Sequence, residues 1–379
     1  MRLAVLKERR AYETRVAATP DTVKKLVGLG LTVVIEAGAG FTSAIPDKDF
    51  LAAGAEIVAD PAAALAGAGI VFAVQPPLPE QLALIPRGAL LVVTANAFAD
   101  PALVPALAQA GIDTVAMELL PRISRAQSMD VLSSQANLAG YRAVIEGAAA
   151  FERGFPMMMT AAGTVPPARV FIVGAGVAGL QAIATARRLG ALVSATDVRP
   201  AAKEEIKSLG ATFVGVEDDE TKGQTGAYAK EMSDAFRQKQ AELMATTVAK
   251  NDLVITTALV MGRRAPVIVT AAMVASMKPG SVIVDLAADA GGNCELTQPG
   301  ASFVTDNGVR ILGWRNWPGR IPVAASSLYA RNLLTFLTTF WDKDTKAPKL
   351  PEGDDIIKGA LLTRGGAIVH PQFQPKQAA

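Results

Sequence analysis

Cysteine and histidine are almost missing from this 379-residue chain, where Cys294 and His370 are the only examples. A disulfide framework is thereby excluded, and a His/Cys metal cluster cannot be assembled. A lone thiol with no histidine nearby in sequence reads as packing rather than as a nucleophile. Neither sign of charge dominates: Lys plus Arg number 37 and Asp plus Glu 35, a net charge of +2. No basic face for nucleic acid is implied. Met1-Arg-Leu-Ala-Val-Leu-Lys7 enters an apolar strand at once, without the basic and apolar regions of a signal peptide. The run Val170 to Ala186 is uncharged over 17 residues, but it contains three glycines and follows Pro166-Pro167. It reads as a buried strand plus helix rather than a membrane span. The expectation is a soluble, cytoplasmic chain with no direct membrane insertion.

The chain is organised around residues 169–199. A β-branched run, Val170 to Val173, leads into Gly174-Ala-Gly176-Val177-Ala178-Gly179; an alanine-rich helical stretch follows, then an apolar strand ending near Asp197. Gly174 permits a tight turn, Gly176 lets a pyrophosphate lie against bare backbone, and Gly179 lets the helix pack close to the strand. The helix N-terminus offers free N–H groups and a positive dipole to phosphates. Asp197 falls where a carboxylate takes the adenosine ribose hydroxyls, and its charge repels a 2′-phosphate, so NAD(H) is the expected nucleotide. FAD binding or an empty turn are the alternatives, and Arg199 leaves an NADP-type site open.

A chain of this length, 50% hydrophobic and 19% charged, is about two folded domains. Its first 120 residues alternate short apolar runs (Leu3 to Leu6, Leu31 to Ile35, Glu56 to Val58, Ile70 to Gln75, Ala89 to Thr94, Thr114 to Met117) with helical stretches. Thr19-Pro20 starts one helix and Gly30 closes it. Such alternation argues for a parallel sheet covered by helices. This half has no Gly-x-Gly-x-x-Gly of its own. Later strands are expected at Leu209 to Val216, Asp252 to Leu259, Ser281 to Asp285 and at Ser302 to Thr305 or Val309 to Leu312; Thr257 to Leu259 and Asp285 to Asn293 then fall near the cofactor. A long apolar helix, Ser326 to Trp341, precedes a tail with a small strand at Ala367 to Val369 that returns to the first domain. The fold class is therefore α/β: two Rossmann-like doubly wound parallel-sheet domains separated by a cleft. Residues 1–125 plus about 313–379 form the first, about 151–312 the second, and about 126–150 an inter-domain linker helix.

That linker is unusually polar. Helix is expected from Ser124 to about Phe151, with Gln127, Asp130 and Ser133 recurring every three residues along one face. A solvated helix with a few salt bridges is the plainer account. Phe155-Pro-Met-Met-Met-Thr160, followed by Gly163 and Pro166-Pro167, reads as a hairpin or arm whose methionines suit a dimer contact, with core packing equally open. Residues 217–230 form a charged, glycine-containing loop in which Tyr228 is either a lid residue or plain surface.

Pro121-Arg-Ile-Ser-Arg-Ala-Gln-Ser-Met-Asp-Val-Leu-Ser-Ser-Gln-Ala-Asn-Leu-Ala-Gly-Tyr-Arg142 and Phe155-Pro-Met-Met-Met-Thr-Ala-Ala-Gly-Thr-Val-Pro-Pro-Ala-Arg169 closely resemble the NAD(H)-binding component of proton-translocating NAD(P) transhydrogenase, over nearly the whole chain. Alanine dehydrogenase is the close relative. Enzymes of that family carry a lysine and, one strand later, a histidine for substrate binding and acid/base work; here the positions hold Gln75 and the stretch Val93-Thr-Ala-Asn96. Passing hydride between two nicotinamides needs no proton donor or acceptor, so the missing pair fits transhydrogenation.

The resemblance implies that Arg122, Gln127, Asp130 and Ser133 surround the nicotinamide, the first three positioning the ring for catalysis without acid/base chemistry. It assigns Gly174, Gly176, Val177, Ala178 and Gly179 to the pyrophosphate turn, Asp197, Val198 and Arg199 to the adenosine ribose, Tyr228 to a closing loop, and Gln240 and Leu259 to further nucleotide contacts. It implies a homodimer working with an NADP(H)-binding component and a membrane-spanning proton-channel component, and so a peripheral place at the inner membrane. The competing expectations are a self-contained amino-acid dehydrogenase of alanine type and a non-catalytic NAD-binding protein.

Overall fold

A computed structural model describes residues 1–216, 234–260 and 262–374 of the chain. It divides into two compact units, Met1–Gln135 with Gly319–Ala379, and Ala136–Pro318.

Numbered along the chain, the first unit contributes β1 (Arg2–Val5), β2 (Thr32–Glu36), β3 (Glu56–Val58), β4 (Ala68–Phe72), β5 (Leu90–Val93) and β6 (Asp113–Ala116). The second contributes β7 (Met158–Thr160), β8 (Gly163–Val165), β9 (Arg169–Val173), β10 (Leu192–Thr196), β11 (Thr212–Phe213), β12 (Leu253–Thr256), β13 (Val282–Asp285), β14 (Ser302–Val304) and β15 (Arg310–Leu312). The C-terminal segment returns to the first with β16 (Trp341–Asp342), β17 (Ala347–Pro348), β18 (Leu361–Arg364) and β19 (Ala367–Ile368).

In the first unit the sheet order is β19-β18-β6-β5-β4-β1-β2-β3, parallel from β6 to β3, with β18 and β19 added antiparallel. The six parallel strands have the doubly wound order, with its switch point between β1 and β4. Their runs are apolar without alternation because both faces are covered: Leu3, Val5, Ile70 and Phe72 pack on one side with Tyr329 and Phe336, while Ala4, Val71, Leu91 and Val93 pack on the other with Leu65 and Leu107. Helix Pro20–Gly28 starts as its signals predict, with Thr19 as cap and Pro20 in the first turn. The long apolar helix begins a turn earlier than expected, at Pro322, whose missing N–H suits that place, and ends at Thr339. The tail strand does return to this sheet, bringing β18 with it.

In the second unit the order is β11-β10-β9-β12-β13-β15-β14, the same doubly wound order with β14 antiparallel on β15. Both candidate last strands are therefore used. β11 is shorter than the expected run because Gly210 (φ +73°) and the end of helix Ala202–Ser208 take up its start. The methionine stretch is a hairpin, β7 with β8, whose Met157 and Met159 are 60% and 81% exposed; core packing is thereby excluded for those two.

The polar linker is not one helix. Ser124–Met129 is a 3₁₀ segment, Asp130 is extended (φ −69°, ψ 96°), and the α-helix runs Val131–Ala150. Asp130 Oδ1 accepts the Ser133 N–H at 2.9 Å and Oδ2 the Ser133 hydroxyl at 2.5 Å. A short carboxylate bonds free N–H groups at a helix start better than it serves a helix interior, so Asp130 ends the expected periodicity and caps the next helix. Gln127, Asp130 and Ser133 accordingly share no continuous helical face.

This helix packs tightly where Gly140 meets Ala178: a Cβ on Gly140 would stand 2.0 Å from the Ala178 carbonyl oxygen. Alanine ordinarily favours a helix over glycine by about 1 kcal/mol. Here overpacking opposes it, and Gly140→Ala is expected to destabilise the chain by about 2 kcal/mol. Urea unfolding checks this, since a raised midpoint would mean the two backbones part freely.

Candidate functional site

The three glycines of the turn after β9 have three different physical reasons. Gly174 has φ +97°, and a Cβ there would come 2.5 Å from the Thr257 hydroxyl. Gly179 has no room at all, since its Cβ would lie 1.8 Å from the Gly174 carbonyl oxygen. Gly176 is different: its φ is −70°, it is exposed, and a Cβ would meet nothing within 4 Å. The chain itself gives no reason for glycine at 176. Gly176 also caps helix Val177–Arg188 without any side-chain bond, so the first-turn N–H groups stay available to an anion. Bare backbone at a free helix start, at the switch point between β9 and β12, fits a dinucleotide pyrophosphate.

Asp197, just beyond β10, is tied into the same turn. Oδ2 accepts the Ala175 N–H at 2.6 Å, and Oδ1 accepts the Arg199 N–H at 2.8 Å and its Nε at 3.0 Å. Arg199 Nη2 also donates to the Ala175 carbonyl at 2.9 Å. The guanidinium is thus held by Asp197 rather than free for a 2′-phosphate. Val198 and Leu259 are both exposed, at 75% and 58%, at the ends of the strands flanking β9. On the β12 side, the Thr257 hydroxyl donates to the carbonyls of Val173 and Gly174, each at 3.1 Å.

Among the remaining predicted residues, Val177 is exposed and Ala178 half-buried at the start of the glycine-turn helix, and Gln240 is half-buried on helix Asp234–Lys250. In the first unit Arg122 and Gln127 are exposed, while Asp130 and Ser133 are joined as described. Tyr228 lies outside the described residues. Sequence reasoning passed over Gly140 and gave Thr257 and Asn293 no role; the small residues Ala136, Ala139, Gly140 and Ala143 at helical spacing were the available signal for the first.

The equivalent crevice of the first unit is occupied by its own side chains. Glu8, after β1, accepts the N–H groups of Val74 and Gln75, after β4, at 2.5 and 3.3 Å. Glu36 accepts the Lys7 N–H at 3.0 Å, and Glu118 accepts those of Ala95 and Asn96 at 2.9 and 2.6 Å. Gln75 donates to Glu13 at 3.1 Å. Arg15 is bound twice by Glu13, at 2.8 and 2.7 Å, and also by Gln135 at 2.9 Å. Burial pushes the Glu13 carboxyl up, but the hydrogen bonds and charge of Arg15 outweigh it and hold the group below the usual carboxylate range. His370 is buried, its Nε2 3.1 Å from the Gly359 carbonyl, and burial lowers its pKa. Burial also pushes the Cys294 thiol up to about 11, which keeps it protonated near neutrality. Among the described residues no group of three or more His, Cys, Asp and Glu is placed to hold a metal ion.

Removal from water, with the Glu13 charge adding, pushes the Glu8 carboxyl up to about 8 from an ordinary value of 4.5. The folded chain holds a proton there that the unfolded chain releases earlier, so this group makes stability fall as pH rises through that window, levelling above about 8. Glu8→Gln removes the ionisation; its thermal midpoint is expected to gain on the wild type across the window, whatever the constant offset. Parallel midpoint curves would show that Glu8 titrates normally.

Two family models cover nearly all of the chain: the alanine dehydrogenase/PNT N-terminal domain matches residues 4–139 and the C-terminal domain residues 143–371. In Rhodospirillum rubrum, the first of the chains named as NAD(P) transhydrogenase subunit alpha is 54% identical over 378 residues, 98% of each chain. The crystal structure of transhydrogenase from Sinorhizobium meliloti superposes with a TM-score of 0.89 at 50% identity, over 97% of this chain and 100% of that one. A structure of L-alanine dehydrogenase is more distant, with a TM-score of 0.80 at 29% identity over 99% and 98% of the two chains. The chain therefore belongs to the alanine dehydrogenase/PNT family and, within it, is similar to the NAD(P) transhydrogenase alpha subunits.

Proposed function

We propose that this chain is the NAD(H)-binding subunit of a proton-translocating transhydrogenase. It holds the nicotinamide nucleotide that exchanges hydride directly with NADP(H) on a separate component, while a membrane-spanning component carries the protons. The observation that carries the reading is Gly176: a glycine that its own fold does not require, placed at an uncapped helix start beside the Ala175–Asp197 bond.

When bound, NAD(H) supplies the hydride chemistry; the chain's residues hold and orient. Gly174 to Gly179 receive the pyrophosphate on backbone N–H groups. Asp197 receives the ribose hydroxyls, Val198 and Leu259 flank the adenosine, and Tyr228 and Gln240 complete the nucleotide contacts. Arg199, engaged by Asp197, favours NAD(H) over NADP(H). Arg122, Gln127, Asp130 and Ser133 position the nicotinamide. The transfer releases and takes up no proton at the rings, which agrees with Gln75 and Asn96 standing where alanine dehydrogenases resembling this chain carry a lysine and a histidine, and with an Arg15 already saturated by Glu13 and Gln135.

Among the described residues no helix is long and apolar enough to cross a membrane. The reading places the chain in the cytoplasm, held at the inner membrane through its partners. Met157 and Met159, bare on the β7–β8 hairpin, suit a homodimer contact because methionine adapts to a facing apolar surface.

Two measurements test this. Mixed with an NADP(H)-binding component, the chain should exchange hydride between NADH and an NAD analogue; steady oxidation of an amino acid by the chain alone would favour the dehydrogenase reading, and NADH binding without exchange a non-catalytic one. In that assay Gln127→Ala and Asp130→Asn, the latter keeping a good helix cap, should slow exchange by about tenfold or more while NADH affinity changes less. Equal losses in both would argue against ring positioning. For the dimer, Met159→Asp should shift the sedimentation coefficient toward that of a monomer, and an unchanged value would remove the hairpin from the contact.

A further inference from the structure

The second unit contains a buried polar chain leading to the glycine turn from β13. Asp285, at the end of β13, is fully buried. Its Oδ1 accepts the Thr256 hydroxyl at 3.0 Å and the Ala287 N–H at 2.9 Å. Its Oδ2 accepts the N–H groups of Asn293 and Cys294 at 2.8 and 2.9 Å and the Thr297 hydroxyl at 2.6 Å. Five neutral donors thus fix this carboxylate, and through it the loop 286–294. Asn293, also fully buried, spends its whole amide on the opposite loop. Its Oδ1 accepts the Ala258 N–H at 2.9 Å, and its Nδ2 donates to the carbonyls of Ala258 and Pro266 at 2.9 and 2.8 Å. It therefore grips both backbone groups of Ala258, as a neighbouring strand would. Ala258 lies between Thr257, bonded to the Gly174 carbonyl, and the exposed Leu259.

We propose that Asn293, held by Asp285, is a positioning residue for nucleotide binding: it clamps Ala258 so that Thr257 supports the glycine turn and Leu259 projects beside it. The proposal rests on the reading that this turn and Leu259 receive NAD(H). Two features make the clamp specific to asparagine. Only a side chain with both a donor and an acceptor can bond the N–H and C=O of one residue, and aspartate would set a carboxylate oxygen against two carbonyl oxygens. The loop after β12 also leaves the protein surface at once, since Leu259 and Val260 are both exposed, so the grip on Ala258 is its anchor next to the turn.

The test uses the full chain with NADH as probe, followed by nicotinamide fluorescence. Asn293→Ala is expected to raise Kd by about tenfold, equivalent to about 1.4 kcal/mol, and Asn293→Asp by at least as much. In a Leu259→Ala background the same Asn293→Ala change should add about twofold or less, because both changes remove one supported contact. A full tenfold in both backgrounds would mean a general softening of the unit and would overturn the proposal. Thr257→Val, which removes the hydroxyl at constant shape, should raise Kd by about fivefold with an unchanged thermal midpoint, and it carries the test if the Asn293 variants do not fold. Unchanged affinity in Thr257→Val or Asn293→Ala, with normal wild-type binding, overturns the clamp alone; failure of the wild type to bind NADH overturns the parent reading and the clamp together.

Discussion

Backbone N–H groups in the loops that leave a parallel sheet have no strand partner, and a buried one left unpaired is costly. The two units meet this constraint in opposite ways. In the first, carboxylates at strand ends reach sideways into the neighbouring loop: Glu36 to Lys7, Glu8 to Val74 and Gln75, Glu118 to Ala95 and Asn96. In the second, Asp285 does this at β13, but the helix after β9 starts at Gly176 with no side-chain cap. One sheet closes its own crevice with acids; the other leaves a gap of the charge and shape an anion would fill. Two sheets of one strand order thereby differ in what they can bind.

The fold class was legible in the sequence because parallel strands covered on both faces are apolar runs separated by helical stretches, and both sheets follow that rule. The glycine turn was legible for a related reason, since turn, close approach and helix packing each demand the same small residue. What sequence could not show is which demand each glycine meets, and that emerged only from the space around each Cβ. Between Ser124 and Ala150 periodicity misplaces the helix boundary because it counts Asp130 as a helical position, whereas its carboxylate competes for the Ser133 N–H. Glu8 and Asn293 were invisible for a different cause: their partners are backbone groups 66 and 35 residues away, and backbone atoms leave no letter in a sequence.

The absence of an acid/base pair is likewise more than a missing lysine and histidine. Gln75 and Asn96 are built into their surroundings, Gln75 through Glu13 and Asn96 through the bond of its N–H to Glu118 at a left-handed φ of +50°. Arg15, the cation of that cluster, is neutralised by Glu13. The region is a stable arrangement of paired groups, so restoring one residue of the pair would set a new charge among partners already committed to each other.

The bonds that Asp197 makes have a consequence for how a nucleotide arrives. Its carboxylate is oriented by two backbone N–H groups, those of Ala175 and Arg199, before any ligand is present. The side-chain entropy that an incoming diol would otherwise have to overcome is already lost on folding. The Arg199 guanidinium, half-exposed, is then a replaceable stand-in: yielding its place on Asp197 sacrifices a surface ion pair worth about 0–1 kcal/mol. An exchange so nearly balanced lets the ribose compete for its acceptor without first having to reshape it.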